Sequence, residues 1–258
     1  MLIGSAVVVC LALIMTALVY TGVVMPTRLF AAKYDVRGID VSHHNGTVDW
    51  PRVAEQDIDF AWIKATEGSA HVDTRFAANW DEAQRAGIAT GAYHFMSFES
   101  PGADQAHNMI ATVPRVAGTL APVVDLEPYG SFKGNLPPAT EVRAILDPLL
   151  AKLEAHYGIA PVIYTTPSAY RAYLVDLYPD NPIWFRSVAW PPRVPDGRDW
   201  TVWQYSNRDR LDGVGSADEA YVDMNVLSDD TSLDQRERSF AEIAESAHPM
   251  GQDAPTRL

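Results

Sequence analysis

The sequence predicts an α/β protein whose one large domain is an irregular, TIM-like β/α barrel, with five β/α units followed by three strands. Eight short apolar runs have the length and composition of strands. Helical periodicity separates the early runs, whereas short loops that carry Pro and Gly separate the last three. The chain has 258 residues, 47% of them apolar, which is enough to bury one large core.

The eight strand candidates come in order along the chain. They are residues 37–41, 60–64, 89–96, 122–126, 161–165, 183–187, 201–205 and 221–226. Helical spacing of apolar residues is clearest at 75–86 and 140–157. In a closed parallel barrel, functional sites lie at the carboxyl ends of the strands, so polar residues there are the candidates for chemistry.

The amino-terminal segment is an uncharged apolar run over residues 2–25. At ~1.5 Å per residue, a helix of this length would span the ~30 Å hydrocarbon core of a bilayer. Basic residues follow the run and none precedes it, which favours an uncleaved membrane anchor over a cleaved signal peptide. The position of these basic residues also favours a cytoplasmic downstream domain. The side of the membrane on which the domain lies is therefore inferred from its substrate.

These features predict a domain order of anchor 1–27, linker 28–35, catalytic barrel 36–227 and a polar, acidic, disordered tail 228–258. The expected location is the cell envelope, with the barrel outside the cytoplasm, or secreted or periplasmic if the amino terminus is cleaved. The chain has 20 basic and 33 acidic side chains, without a basic cluster, so a nucleic-acid partner is not expected. We expect a monomer. The single cysteine, Cys10, excludes a disulfide framework.

Four acidic residues lie inside the apolar strand runs: Asp40, Asp125, Glu127 and Asp223. An uncompensated buried charge is costly, so each of them needs either a partner or a chemical task. A single such acid is as easily part of a structural hydrogen-bond network. Four together, two of them on one strand, favour an active site.

Asp125 and Glu127 are the informative pair. Residues i and i+2 of a strand face the same side, with Cα atoms ~6.6 Å apart, so the carboxyl groups can reach the ~5–5.5 Å separation of retaining glycosidases. Two close carboxylates also raise the pKa of one of them, as a general acid requires. Glu127 has the longer side chain and is the better proton donor.

Seven short motifs occur in one order between residues 34 and 227. They are GIDVSHHNGTVDW at 38–50, FAWIKATEG at 60–68, GAYHF at 91–95, PVVDLEP at 122–128, VIYTT at 162–166, WQYS at 203–206 and YVDMNVL at 221–227. In this order they resemble glycoside hydrolase family 25, the Chalaropsis-type lysozymes. The resemblance implies an irregular five-plus-three β/α barrel. It also implies cleavage of the β-1,4 bond between N-acetylmuramic acid and N-acetylglucosamine of peptidoglycan.

The resemblance also implies roles for the acids. Glu127 matches the general acid/base, and Asp125 matches the residue that orients and stabilises the substrate's 2-acetamido group as it attacks the anomeric carbon. Attack by a carboxylate nucleophile stays open as the other route, and both retain configuration. Asp40 and Asp223 match two further acids that flank the pair.

Four more residues are expected to bind the sugar: Tyr93, Tyr164, Trp203 and Lys64. The aromatic residues match positions that line the sugar groove, and Lys64 is expected to bond a neighbouring acid. Gln204 and His94 alternate to the other strand face and are predicted to be structural.

No metal or other cofactor is predicted. His43 and His44 are adjacent in sequence, so on a strand they would point to opposite faces, and no His-x-x-x-His spacing completes a ligand triad. The chain departs from the family pattern at IWFRSVAWPP, residues 183–192, and at an acidic insertion, SADEA, residues 216–220. Both departures lie near the groove and concern substrate fine specificity.

Two other functions stay open on the sequence alone. One is a membrane-anchored peptidoglycan-binding module with little or no catalysis, which the intact acids argue against. The other is a zinc-dependent sugar deacetylase on a similar barrel, which the missing ligand triad makes improbable.

Overall fold

The computed structural model describes residues 25–215 and 221–228, together with the single positions Cys10, Leu13 and Val19. Its strands are β1 Arg37–Val41, β2 Phe60–Glu67, β3 His71–Val72, β4 Ala89–Phe95, β5 Val123–Leu126, β6 Val162–Thr165, β7 Ile183–Arg186, β8 Val202–Asp209 and β9 Val222–Leu227. All strands but β3 form one closed barrel in the order β1-β9-β8-β7-β6-β5-β4-β2, which β1 and β2 close. The eight predicted strands are confirmed, and β3 is an additional hairpin strand on β2.

The barrel is parallel except at one strand. β9 runs antiparallel to both β8 and β1, so the expectation of a wholly parallel barrel is wrong at this position. The reversal has a consequence for the site, because the beginning of β9 lies at the rim where the other strands end. Asp223, near the start of β9, pairs directly with Asp40, near the end of β1.

Helices alternate with the first strands only. They are α1 Pro26–Ala31, α2 Trp50–Ala54, α3 Phe76–Arg85, α4 Gly102–Thr112, α5 Ala139–Tyr157 and α6 Pro167–Tyr173. The two predicted helices are confirmed as α3 and α5, and α5 ends at Gly158, whose φ of 77° is the left-handed conformation that glycine adopts without strain. Among the described residues, no helix follows β7 or β8, which gives the predicted five-plus-three pattern.

The barrel interior below the rim is filled by aromatic rings. Trp62 and Trp184 pack with centroids 4.9 Å apart, and Tyr164 lies edge-on to Trp184 at 5.0 Å. Gly91 on β4 gives the Trp62 indole its space, because a Cβ at this position would overlap the ring. This apolar floor closes the barrel beneath the polar rim.

Helix α1, which precedes β1, contacts the barrel. It overlaps the predicted linker at residues 28–35 and packs against β8 with Thr27 and Ala31 buried. Tyr34 then packs edge-on against Trp200 at 5.3 Å. No local pattern predicts this docking, because the contacts join positions more than 150 residues apart in the chain.

The predicted anchor and tail fall almost entirely outside the described residues, as does the insertion at 216–220. Within the part of the chain that is described, no helix has both the length and the apolar character needed to cross a bilayer.

Candidate active site

A cavity of about 380 Å³ opens at the carboxyl end of the barrel strands. Its lining residues are Asp40, Ser42, His44, Asn45, Lys64, Tyr93, Phe95, Val123, Asp125, Glu127, Tyr164, Trp184, Asn207, Tyr221 and Asp223. All four predicted acids therefore meet in one cavity. Of the other predicted site residues, only Trp203 is absent from its wall.

Asp125 and Glu127 face the cavity from the same side of β5, together with Val123. This is the alternation that a strand imposes on residues two apart. Asp125 is buried, and its Oδ1 atom has no hydrogen-bond partner among the described residues. Burial, and then the charge of Glu127, raise the pKa of Asp125 well above its ordinary value.

Glu127 lies one residue beyond the end of β5 and is half-buried. Burial raises the pKa of its carboxyl, while the positive charges of Arg186 and Lys133 oppose that rise. Two close acids with raised pKa values tend to retain one proton between them, which is the state that acid catalysis requires.

Asp40 is held by two amides of the barrel. Its Oδ2 accepts hydrogen bonds from Gln204 Nε2 at 2.9 Å and from Asn225 Nδ2 at 2.8 Å. Burial raises the pKa of Asp40, and these two hydrogen bonds are the main opposing effects, since they favour the ionised form. A hydrogen bond with Asp223 acts in the same direction.

Gln204 was predicted to be structural and to face away from the site, and that orientation is wrong. Its side chain joins two cavity residues, because Oε1 accepts from the Tyr164 hydroxyl at 3.0 Å and Nε2 donates to Asp40. Neighbours on a strand face opposite sides, so only one of Trp203 and Gln204 can point inward. The inward residue is Gln204.

Trp203, predicted to line the sugar groove, faces the outside of the barrel. It is fully buried there, its Nε1 donates to the Ser187 carbonyl at 2.8 Å, and its ring packs near Tyr34 and Trp200. A large aromatic side chain is stabilised by this second apolar layer, whereas the polar amide of Gln204 finds partners inside the rim.

Tyr93, Tyr164 and Lys64 line the cavity, and sugar binding by them stays a prediction. The Lys64 ammonium forms an ion pair with Glu67 at 2.6 Å and lies 4.8 Å from the centre of the Phe95 ring. The acid that Lys64 was expected to bond is therefore Glu67. The positive charge of Lys64 also lowers the pKa of both Asp125 and Glu127.

Two residues of the site were not predicted from the sequence: Trp184, which lines the cavity, and Asn225, which hydrogen-bonds it. Trp184 Nε1 donates to Asn225 Oδ1 at 2.9 Å, and Asn225 in turn donates to Asp40. The alternation of β9 carried a usable signal, because Asn225 is two residues from Asp223 and shares its face.

The histidines divide between the rim and the outer layer. His43 Nδ1 bonds Asp73 at 2.7 Å, and His44 lines the cavity. The described residues contain no group of three His, Cys, Asp or Glu side chains arranged to hold a metal ion. His94 lies outside the barrel between Thr66 and Gln105, where burial lowers its pKa to about 4, so its structural assignment agrees with its position.

Comparison with known proteins supports this architecture. The model of the family "Glycosyl hydrolases family 25" matches residues 39–214. Lysozyme M1 of Streptomyces globisporus is 37% identical over 192 residues, which cover 69% of this chain and 64% of that protein.

Two solved structures are similar along most of their length. A family 25 glycosyl hydrolase from Bacillus anthracis has a TM-score of 0.74 and 41% identity, and the match covers 80% of this chain and 94% of that one. A lysozyme from Streptomyces coelicolor has a TM-score of 0.69 and 32% identity, with 80% and 97% covered. On the family match and these relatives, the chain belongs to glycoside hydrolase family 25.

Proposed function

We propose that this protein is a muramidase that hydrolyses the β-1,4 bond between N-acetylmuramic acid and N-acetylglucosamine of peptidoglycan with retention of configuration. The observation that carries the proposal is the Asp125–Glu127 pair, which faces the rim cavity from one side of β5. Family membership supports it, as do relatives named a lysozyme and an N,O-diacetylmuramidase. A binding module without catalysis would not need four acids in one cavity.

In this proposal Glu127 is the general acid and then the general base. Burial raises its pKa, so the protonated form persists closer to neutral pH than for an exposed glutamate. Glu127 lies just after β5, lines the cavity and is half-buried, which supports a position from which it could reach a glycosidic oxygen. It would protonate the leaving sugar and then deprotonate the water that completes hydrolysis.

Asp125 would receive the N–H group of the substrate's 2-acetamido substituent. Its buried Oδ1 has no partner among the described residues, so an incoming N–H would satisfy it. A hydrogen bond to the ionised form lowers the pKa of Asp125, which would leave the proton shared by the pair on Glu127. Substrate binding would in this way establish the protonation state that the first chemical step needs.

The alternative route uses Asp125 as the nucleophile itself. A substrate that lacks the 2-acetamido group distinguishes the routes, because only the substrate-assisted route requires that group. Asp40 and Asp223 would tune the charge of the pair and bind sugar hydroxyls. Tyr93, Tyr164 and Lys64 would line the groove.

The same substrate sets the side of the membrane on which the barrel works. Peptidoglycan lies outside the cytoplasm, so we propose extracytoplasmic action, with residues 2–25 as an uncleaved anchor. We further propose that the folded unit begins at α1 rather than at residue 36, since Thr27 and Ala31 are buried against the barrel. Retention on membranes after a carbonate wash, with an unprocessed amino terminus, would support the anchor, whereas a soluble form that begins near Ala31 would contradict it.

The decisive assay combines reducing-end release with identification of the new end. The protein is incubated with purified peptidoglycan, with and without a chelator, and the products are reduced with borohydride and hydrolysed. We expect chelator-independent release and muramitol as the reduced sugar. Glucosaminitol would contradict cleavage after N-acetylmuramic acid, and absence of new reducing ends would contradict hydrolysis altogether. Released acetate that a chelator abolishes would indicate a deacetylase.

A further inference from the structure

Three large apolar side chains are exposed on helix α1 and in the loop to which it is hydrogen-bonded. Leu29 is 81% exposed, Phe30 44% and Trp190 66%. Leu29 and Phe30 lie on α1, and Trp190 lies in the loop between β7 and β8. We call these three residues the α1 patch. Large exposed apolar side chains that cluster on one surface indicate contact with a partner or a membrane.

Hydrogen bonds connect the two parts of the patch. The Thr27 hydroxyl donates to the Val188 carbonyl at 3.4 Å, which joins α1 to the loop that carries Trp190. Within that loop, the Ser187 hydroxyl donates to the Trp190 carbonyl at 2.7 Å. Because Thr27 and Ala31 take the buried side of α1, Leu29 and Phe30 are left on its outer side.

Helix α1 is attached at the active-site rim rather than at the opposite end of the barrel. Arg28 forms an ion pair with Asp209 and donates to the Arg208 carbonyl at 3.3 Å, and the Ser206 hydroxyl contacts the Met25 sulfur at 3.1 Å. These partners lie on either side of Asn207, which lines the cavity. The patch and the cavity mouth therefore share one end of the molecule.

The chemistry of the neighbouring sequence points to lipid as the occupant. Residues 2–25 carry no charged side chain and lead directly into α1. The exposed basic residues Lys33 and Arg193 follow Phe30 and Trp190 by three positions in the sequence, in a chain whose net charge is −13. Trp, Phe and Leu with adjacent Lys and Arg form the composition that contacts the headgroup region of a bilayer.

We propose that the α1 patch rests in the headgroup region of the phospholipid bilayer, so that the cavity mouth lies close to the membrane surface. Combined with the proposed function, which supplies the substrate, this orientation directs the enzyme to the glycan strands nearest the membrane. The anchor alone would only tether the barrel. The patch would also orient it.

The test measures lipid contact at the patch in the full chain. Cys10 is replaced by Ser, and a bimane label is attached at Trp190→Cys or, as the control, at Val116→Cys. Val116 is a similarly exposed apolar residue, at 41%, between α4 and β5 and so at the opposite end of the barrel. Both proteins are reconstituted into vesicles of phosphatidylcholine and phosphatidylglycerol that contain a lipid spin-labelled near the headgroup.

We expect quenching of the label at position 190 that is several-fold greater than at position 116. Adding Leu29→Ser and Phe30→Ser to the protein labelled at 190 should reduce this quenching, while hydrolysis of soluble peptidoglycan fragments stays unchanged and reports the intact fold. Equal quenching at 190 and 116 would overturn the proposal.

Failure of the anchor and failure of the catalytic proposal give different results. If carbonate releases the protein but the label at 190 is quenched before the wash, the patch is supported without the anchor. If the protein is inactive on peptidoglycan, the proposed function fails while the quenching at 190 still decides the orientation.

Discussion

Two pairs of acids line the cavity, and they differ in their hydrogen-bond partners. Asp40, which pairs across the strands with Asp223, accepts hydrogen bonds from the side-chain amides of Gln204 and Asn225. Asp125, beside Glu127 on β5, has a buried oxygen that no described residue satisfies. An acid whose hydrogen bonds are complete is held in one geometry, whereas an acid with an unused acceptor is available to a ligand.

This difference in hydrogen bonding indicates different roles for the two pairs of acids. The β1–β9 pair organises the wall, because Asp40 is fixed by amides that also connect to Tyr164 and Trp184. Burial raises the pKa of acids in both pairs, but of the two pairs only the β5 pair has a buried acceptor that no described residue satisfies, so it is poised for proton transfer and substrate contact. Substitutions in the first pair should mainly change stability, and those in the second should mainly change catalysis.

The largest effect should come from Glu127→Gln. The amide keeps the shape of the side chain but cannot donate the proton, and general acid catalysis is typically worth ~10²–10⁴ in rate. We expect kcat on peptidoglycan to fall by about that factor, with thermal unfolding unchanged. Glu82→Gln, on the exposed surface of α3, is the matched control and should be fully active. A Glu127→Gln enzyme within a few-fold of wild type would remove Glu127 from its proposed role.

Removing Asp40 should cost stability. Asp40→Ala leaves the Gln204 and Asn225 amides without their acceptor inside the rim, and an unsatisfied buried donor costs about 1–3 kcal/mol. We expect the free energy of unfolding, measured by urea denaturation, to fall by an amount in that range. Unchanged stability would mean that the two amides are not held by Asp40.

At Asp125 we expect the opposite change, a gain in the free energy of unfolding. Burial raises the pKa of both Asp40 and Asp125, but hydrogen bonds from Gln204 and Asn225 oppose the rise only at Asp40, whereas the charge of Glu127 adds to it at Asp125. The native state therefore holds the Asp125 proton more tightly than the unfolded state, and stability is lost as the pH rises from the unfolded pKa towards the native pKa. Asp125→Asn removes this loss of stability. The free energy of unfolding of the variant should exceed that of wild type by up to about 1.4 kcal/mol for each pH unit above the unfolded pKa of ~3.9.

Urea denaturation of both proteins across this pH window gives the comparison. The two should have equal stability below the unfolded pKa, and the gap should widen upward until Asp125 is ionised in the native state. A variant that is less stable than wild type at neutral pH would show that Asp125 has hydrogen-bond partners that stabilise its charge.

The smallest expected effects are those of substituting two tryptophans, Trp203 and Trp184. Trp203→Phe and Trp184→Phe each delete one indole hydrogen bond, to Ser187 and to Asn225 respectively, at a cost of about 1 kcal/mol. Only Trp184 lines the cavity. We expect both variants to lose a similar amount of stability, but only Trp184→Phe to raise KM on soluble peptidoglycan fragments. A raised KM for Trp203→Phe alone would restore Trp203 to the groove.

The strands and the clustering of the acids could be predicted from the sequence, because both follow from the alternation of side chains along a strand. A strand that places Asp125 inward must place Glu127 on the same side, and both line the cavity. The direct pairing of Asp40 with Asp223 was not predicted, because it depends on the register and on the reversed direction of β9. Strand direction is a property of the connections and has no marker within the strand itself.

The predictions that were wrong or missing concern features that depend on contacts with residues distant in the sequence. The alternation of β8 is compatible with either Trp203 or Gln204 facing inward, and the outer aromatic layer formed with Tyr34 and Trp200 selects Gln204. The docking of α1 depends on Ser206 and Asp209, which lie far along the chain. Neither arrangement could be inferred from a window of neighbouring residues.

Hydrolysis with retention by the β5 pair is open to a direct test. Proton NMR of the first product formed from soluble peptidoglycan fragments reports this directly, before mutarotation mixes the anomers. With Glu127 assisting departure and either the acetamido oxygen or Asp125 attacking, water enters from the face that the leaving group vacated. We expect the β-anomer as the first product, and an initial α-anomer would show that the β5 pair does not act with retention.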